Sequence, residues 1–166
     1  MKKWMVGLIL LFGVVLCACS RAETFEIISD VVVTGQLSEP AKISLRIPDD
    51  ATLAVMSSTD GQSYEGDHYQ IIIQTYAAGD LNQTLQQITG YSSNQLKLME
   101  VTTEAYGKYL CAWSSVSEEG ELVGRCAVLD DGRYHYCLSV LVDAQKSGEM
   151  RGEIDALFAD YSLEGY

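Results

Sequence analysis

The chain is poor in histidine and proline, with two of each in 166 residues, and its 11 Lys and Arg are outnumbered by 23 Asp and Glu. Each shortage excludes something. Two histidines and, past the N-terminal stretch, three scattered thiols, with no C-x-x-C or H-x-x-x-H spacing, make no metal motif, so no metal and no cofactor is expected. A net charge of −12 repels phosphate backbones, which argues against a nucleic-acid partner. The same charge argues against docking of the folded surface onto anionic headgroups. There is no low-complexity tract and no fixed-period repeat. Nor is there a membrane-spanning run: the N-terminal apolar stretch, 4–18, has 15 residues where a spanning helix needs about 20.

That stretch has another reading. Lys2 and Lys3 form a positive start, Trp4 to Leu16 is apolar and uncharged, and small residues follow, the three zones of an export signal. Its end, Leu16-Cys17-Ala18-Cys19, resembles the bacterial lipobox: a Leu three before a Cys, a small residue directly before it, and a polar segment after. The resemblance implies a diacylglycerol on the Cys19 thiol and cleavage after Ala18. Only a thiolate is nucleophilic enough for the transfer, and a small neighbour lets the peptidase reach the bond. Two acyl chains suffice for stable attachment, so the membrane is a partner through the anchor. The alternatives are a plain secretory signal or a short uncleaved anchor. The expected organisation is a signal peptide over 1–18, a lipidated tether over 19–24 and a single domain over 25–166. Without the signal the chain keeps nine basic and 23 acidic side chains, a net −14.

Along the domain, 25–34 and 41–47 read as strands. In the second, Ala41, Ile43, Leu45 and Ile47 alternate with Lys42, Ser44 and Arg46, the period of a half-buried strand. A short strand over 53–57, a turn-rich loop over 60–67 and a strand over 68–76 follow. Asp80 is a good N-cap for a helix whose Leu81, Leu85 and Ile88 share a face. A strand is expected over 96–103, then a meander over 107–116, 122–129 and 134–143. Its turns are Glu118-Glu119-Gly120 and Asp130-Asp131-Gly132. The spacing of Met150, Ile154, Leu157, Phe158 and Tyr161 predicts a closing helix over 147–161 with one apolar stripe.

With "ISLRIPDD" near the start and "IDALFADYSL" at the end, this order of elements resembles the Mog/PsbP-like family over most of 41–163. Pro48 matches the family's proline after its opening strand, while the aromatic often found just after it is missing. The resemblance implies an α+β fold, an antiparallel sheet of six or seven strands sandwiched by helices. Members include a photosystem accessory protein, a Ran-binding protein and many bacterial lipoproteins. It therefore implies a non-enzymatic binding or assembly domain and carries over no metal or partner site.

The cysteines are the most informative side chains of the domain. A turn centred on Asp131-Gly132 places positions summing to 263 opposite one another, which sets Cys126 against Cys137, with Cys111 or Trp113 beside Cys126 on the same face. Export permits a disulfide there. The alternative is that all three thiols are small buried hydrophobes. A nucleophilic cysteine needs a base, and His135 lies two residues from Cys137, about 6–7 Å along one strand and beyond hydrogen-bond reach.

The expectation is a membrane-anchored extracytoplasmic lipoprotein, a non-catalytic binding or assembly module with a protein or small-molecule partner. Two alternatives stay open: a thiol-dependent redox protein or enzyme using Cys126 and Cys137, and a small-ligand-binding protein.

Overall fold

The computed structural model describes residues 39–54, 61–102, 105–117 and 120–166. The signal peptide, Cys19, the tether, the strand expected over 25–34 and the Glu118-Glu119 turn lie outside them. Among the described residues, no helix is long and apolar enough to cross a membrane.

The chain runs β1 Ile43–Ser44, β2 Thr52–Ala54, β3 Gly61–Gly66, β4 Tyr69–Ala77, α1 Leu81–Thr89, β5 Met99–Thr102, β6 Gly107–Ser117, β7 Gly120–Asp130, β8 Tyr134–Asp143, α2 Arg151–Asp160 and β9 Ser162–Leu163. Strands β2 to β8 form one antiparallel sheet of seven, in the order β2-β3-β4-β8-β7-β6-β5, and β1 pairs β9 beside it. This is the expected α+β sandwich.

Strand β8 lies mid-sheet, and residues 135–140 are buried whichever way they point. The reason is a helix on each face. Tyr136, Leu138, Val140 and Val142 join Ile154, Leu157 and Phe158 of α2 in one core. One residue out of phase, Cys137 joins Leu85 of α1 in the other, with Cys126, Val128 and Leu96. A strand packed on both faces loses its polar alternation, which is how "HYCLSVLV" reads.

Both helices carry their expected signals. The Asp80 carboxylate caps α1 by accepting from the Asn82 amide at 2.9 Å, and Gly90 closes it in the left-handed conformation, φ 79°. At the C-terminal end of α2, Lys108 of β6 donates to the Phe158 carbonyl at 3.1 Å, a cation on the negative end of the helix. Turns occupy 144–150, so α2 starts four residues later than the apolar spacing predicts.

Three expectations need correction. The alternation over 41–47 holds, with the apolar residues half-buried and Lys42, Ser44 and Arg46 exposed, yet only Ile43–Ser44 ladders, because two-residue β9 is its partner. The strand expected over 96–103 begins at Met99, after a short 3₁₀ turn at Ser93–Gln95, while Leu96 is buried beneath α1. The loop expected over 60–67 is mostly strand β3, joined to β4 by a two-residue turn at Asp67-His68. Gly66 there reads as a loop former, but a Cβ on it would lie 2.1 Å from the Tyr69 ring directly opposite. An aromatic side chain fills the place of the missing one. Trp113 covers Gly124 in the same way on β6 and β7, at 2.2 Å from the built Cβ.

Candidate functional site

The turn between β7 and β8 decides which side chains meet. The Asp131 amide donates to the Tyr134 carbonyl, so the central residues are Gly132 and Arg133, with Gly132 at φ 81°, rather than Asp131 and Gly132. The Asp131 carboxylate holds this arrangement. It accepts from the Arg133 and Tyr134 amides at 2.8 Å each, from the Tyr136 phenol at 3.1 Å and from the Tyr166 phenol at 3.2 Å. Burial of that carboxylate opposes ionisation, but the four donated bonds outweigh it and leave the group below its ordinary pKa. The Tyr136 phenol is in turn pushed up to about 12, by burial and by the Asp131 carboxylate to which it donates.

This turn moves each residue's partner two positions along from the expected one, so that opposite positions sum to 265 rather than 263. Cys126 faces Ser139, and Cys137 faces Val128. The expected Cys126–Cys137 disulfide does not form, since diagonal neighbours are about 7–8 Å apart where a bridge needs about 5.5 Å between Cα atoms. In the hairpin on the other side, Cys111 faces Cys126 with their Cα atoms 5.2 Å apart, and these two are bonded. Among the described residues Cys137 is the free thiol, 1 % exposed, and burial pushes it up to about 12. The dithiol that sequence spacing offered is therefore not assembled: one member is already bonded, and the other is sealed as a thiol.

His135 is also on this face, opposite Asp130. Its Nδ1 is 2.7 Å from Thr84 Oγ1 of α1, and its Nε2 is 3.6 Å from the Asp130 carboxylate. Hydroxyl, imidazole and carboxylate thus stand in a row, the order of a nucleophile, its base and an orienting acid. Access argues for another role. His135 is 1 % and Thr84 6 % exposed, and Thr84 lies within α1, pressed onto the sheet. The row gives a buried histidine its partners and ties α1 to β8.

Of the clefts that open to solvent instead, two bear on the site. One, of 320 Å³, lies beyond the reach of α1, between Glu65, His68, Gln70, Leu141 and Asp143. Asp143 holds His68 through Nδ1 at 2.8 Å, and His68 takes a left-handed backbone at φ 69°, uncommon outside glycine. The other, of 330 Å³, is on the opposite face where α2 begins, with an apolar floor and two arginines. Sequence reasoning missed both. His68 carries no spacing signal, because its partner is 75 positions away. Arg151 and Asp155 did carry one, a helical i,i+4 pair, but what they frame is set by β7 and β8.

No family model and no curated protein matches the chain by sequence. Solved structures do match. The solution structure of cyanobacterial PsbP (CyanoP) from Synechocystis sp. PCC 6803 superposes with a TM-score of 0.55 at 4 % identity, over 78 % of this chain and 96 % of that one. The fold is that of the Mog/PsbP-like domains. A protein of Bacteroides thetaiotaomicron VPI-5482 matches with a TM-score of 0.52 at 12 % identity, over 75 % of this chain and 46 % of that one. LpqN of Mycobacterium tuberculosis, described as involved in cell envelope biogenesis, gives a TM-score of 0.47 at 12 % identity, over 75 % of this chain and 86 % of that one. At such identities the Mog/PsbP-like likeness concerns architecture, and function rests on the side chains.

Proposed function

We propose that this chain is an extracytoplasmic binding or assembly module, held at the membrane by a lipid on Cys19 and performing no covalent chemistry of its own. The observation that carries the reading is the Cys111–Cys126 disulfide in a chain whose start reads as a lipoprotein signal. A protein disulfide persists in oxidising compartments and is uncommon where glutathione keeps thiols reduced, so the staple and the signal agree on an address outside the cytoplasm. The burial of Cys137 and of the Thr84–His135 pair supports the second half, because a reacting group must meet its substrate.

Intact mass of the protein extracted from its own membrane tests the address, with alkylation in denaturant before and after reduction. The expected mass begins at Cys19 and carries a diacylglycerol, with one alkylated thiol before reduction and three after. An unlipidated mass overturns the anchor, and three thiols without reductant overturn the staple. The absence of chemistry is tested by oxidation of a dithiol peptide with glutathione disulfide as terminal oxidant, the Cys111–Cys126 disulfide being the group that would take the two electrons and be reoxidised. Turnover that disappears in Cys126→Ser would make the protein a redox enzyme.

A further inference from the structure

We infer that the cleft where α2 begins binds a monoanionic amphiphile, a carboxylate on a short apolar tail. The inference goes beyond the anchored module, since it depends on neither the lipid nor a protein partner.

The floor is apolar. Val123 of β7 pairs with Val142 of β8, Val140 stands next on the same face, and Ile154 closes the cleft from α2. Its volume is 330 Å³. At the roughly 30 Å³ that a water molecule occupies in the liquid, there is room for on the order of ten heavy atoms. This is the small end of the range for ligand sites.

The rim is cationic, in a chain whose net charge is −12. Arg125 and Arg151 both line the cleft, and no acid does. They share one carboxylate beside it: Asp155 is 2.6 Å from Arg125 Nη1 and 3.7 Å from Arg151 Nε. Two guanidiniums against one carboxylate leave a single positive charge at the mouth of an apolar cleft, the complement of one carboxylate on a short tail. Arg125 is set in place. Its guanidinium stacks on the Phe158 ring at 4.8 Å and donates one N–H to Asp155, and the rest of its fork has no acceptor among the described residues. A planar fork held at a fixed angle suits a carboxylate, which takes two parallel N–H bonds. The first turn of α2 has no side-chain cap, so its positive end adds to this field. Glu153, the acid of that turn, lines a neighbouring crevice with Pro48 and Tyr69.

Calorimetry with sodium octanoate tests the assignment, using the full chain in phospholipid nanodiscs and subtracting the heat from empty nanodiscs. Saturable one-to-one binding is expected. Acetate, which lacks the tail, and octylamine, which reverses the charge, should each bind at least tenfold more weakly. Arg151→Glu should weaken octanoate at least tenfold. A Cβ built on Gly148, another lining residue, meets nothing within 4 Å, so Gly148→Phe should fill the cleft from its rim without disturbing the sheet. That variant should keep the parent melting temperature and lose binding. Absence of saturable heat overturns the inference. Octylamine binding as well as octanoate would reduce the cleft to a greasy patch, and unchanged binding in Gly148→Phe would put the ligand elsewhere.

Discussion

Asp131 and Cys137 show at the scale of one residue how surroundings reset a side chain. Four donors converge on Asp131 and hold its folded pKa below the unfolded value, which is about 3.9. Its contribution to stability is therefore fully present above that unfolded value and is lost as pH falls through the folded one. Asp131→Asn keeps the size but surrenders the charge, and should cost about 1–3 kcal/mol at neutral pH. Urea unfolding at pH 7 and again near pH 2 checks the sign, because the gap between parent and variant should narrow in acid. A gap independent of pH would mean that the turn needs the shape of the side chain and not its charge. For Cys137 the prediction is kinetic. Burial pushes its thiol up to about 12, so iodoacetamide at pH 8 should leave it unmodified in the native protein and label it in denaturant. Labelling of the folded protein at the rate of a free thiol would show that the α1 side of the sheet opens.

At the scale of elements, strands β6 and β7 are the informative pair. The disulfide joins directly opposite residues 15 positions apart, and Trp113 lies over Gly124 two pairs nearer the turn of the hairpin. Closing a loop of that length in the unfolded chain stabilises the folded state by about 3 kcal/mol on the chain-entropy account. Reduction should lower the urea midpoint correspondingly and leave far-UV circular dichroism unchanged, since every ladder bond remains. Loss of sheet signal on reduction would show that the staple creates the hairpin rather than reinforcing it. Much of this level was legible beforehand. Strand β8 was expected with the bounds it has, and α1 with its Asp80 cap. Strand β3 was not legible, because its glycines at both ends and Ser63 are turn formers by local preference, and the Tyr69 ring over Gly66 supplies packing that local preference does not show.

At the scale of the molecule, one sheet serves two cores, each closed by its own helix. Leu85 and Leu138 are fully buried on opposite faces. Leu85→Ala and Leu138→Ala should each cost about 2–5 kcal/mol. Because β8 belongs to both cores, each variant should still unfold in a single transition by circular dichroism and by tryptophan fluorescence alike. Two separated transitions in Leu85→Ala would mean that α1 and its core melt independently. What the sequence by itself determined is whatever depends on neighbours along the chain: the helical stripes, the caps, the alternation of strands, and the end patterns that resemble the Mog/PsbP-like family. What only the tertiary structure decided is which cysteine meets which and where a cleft opens. Both turn on register, and register here depends on whether the two central turn residues are 131 and 132 or 132 and 133. Locally the two turns are nearly equivalent. Of the four hydrogen bonds to the Asp131 carboxylate, three come from within five residues and form only in the observed hairpin, and the fourth comes from the Tyr166 phenol 35 positions away, so the choice exists only once the chain has folded back on itself.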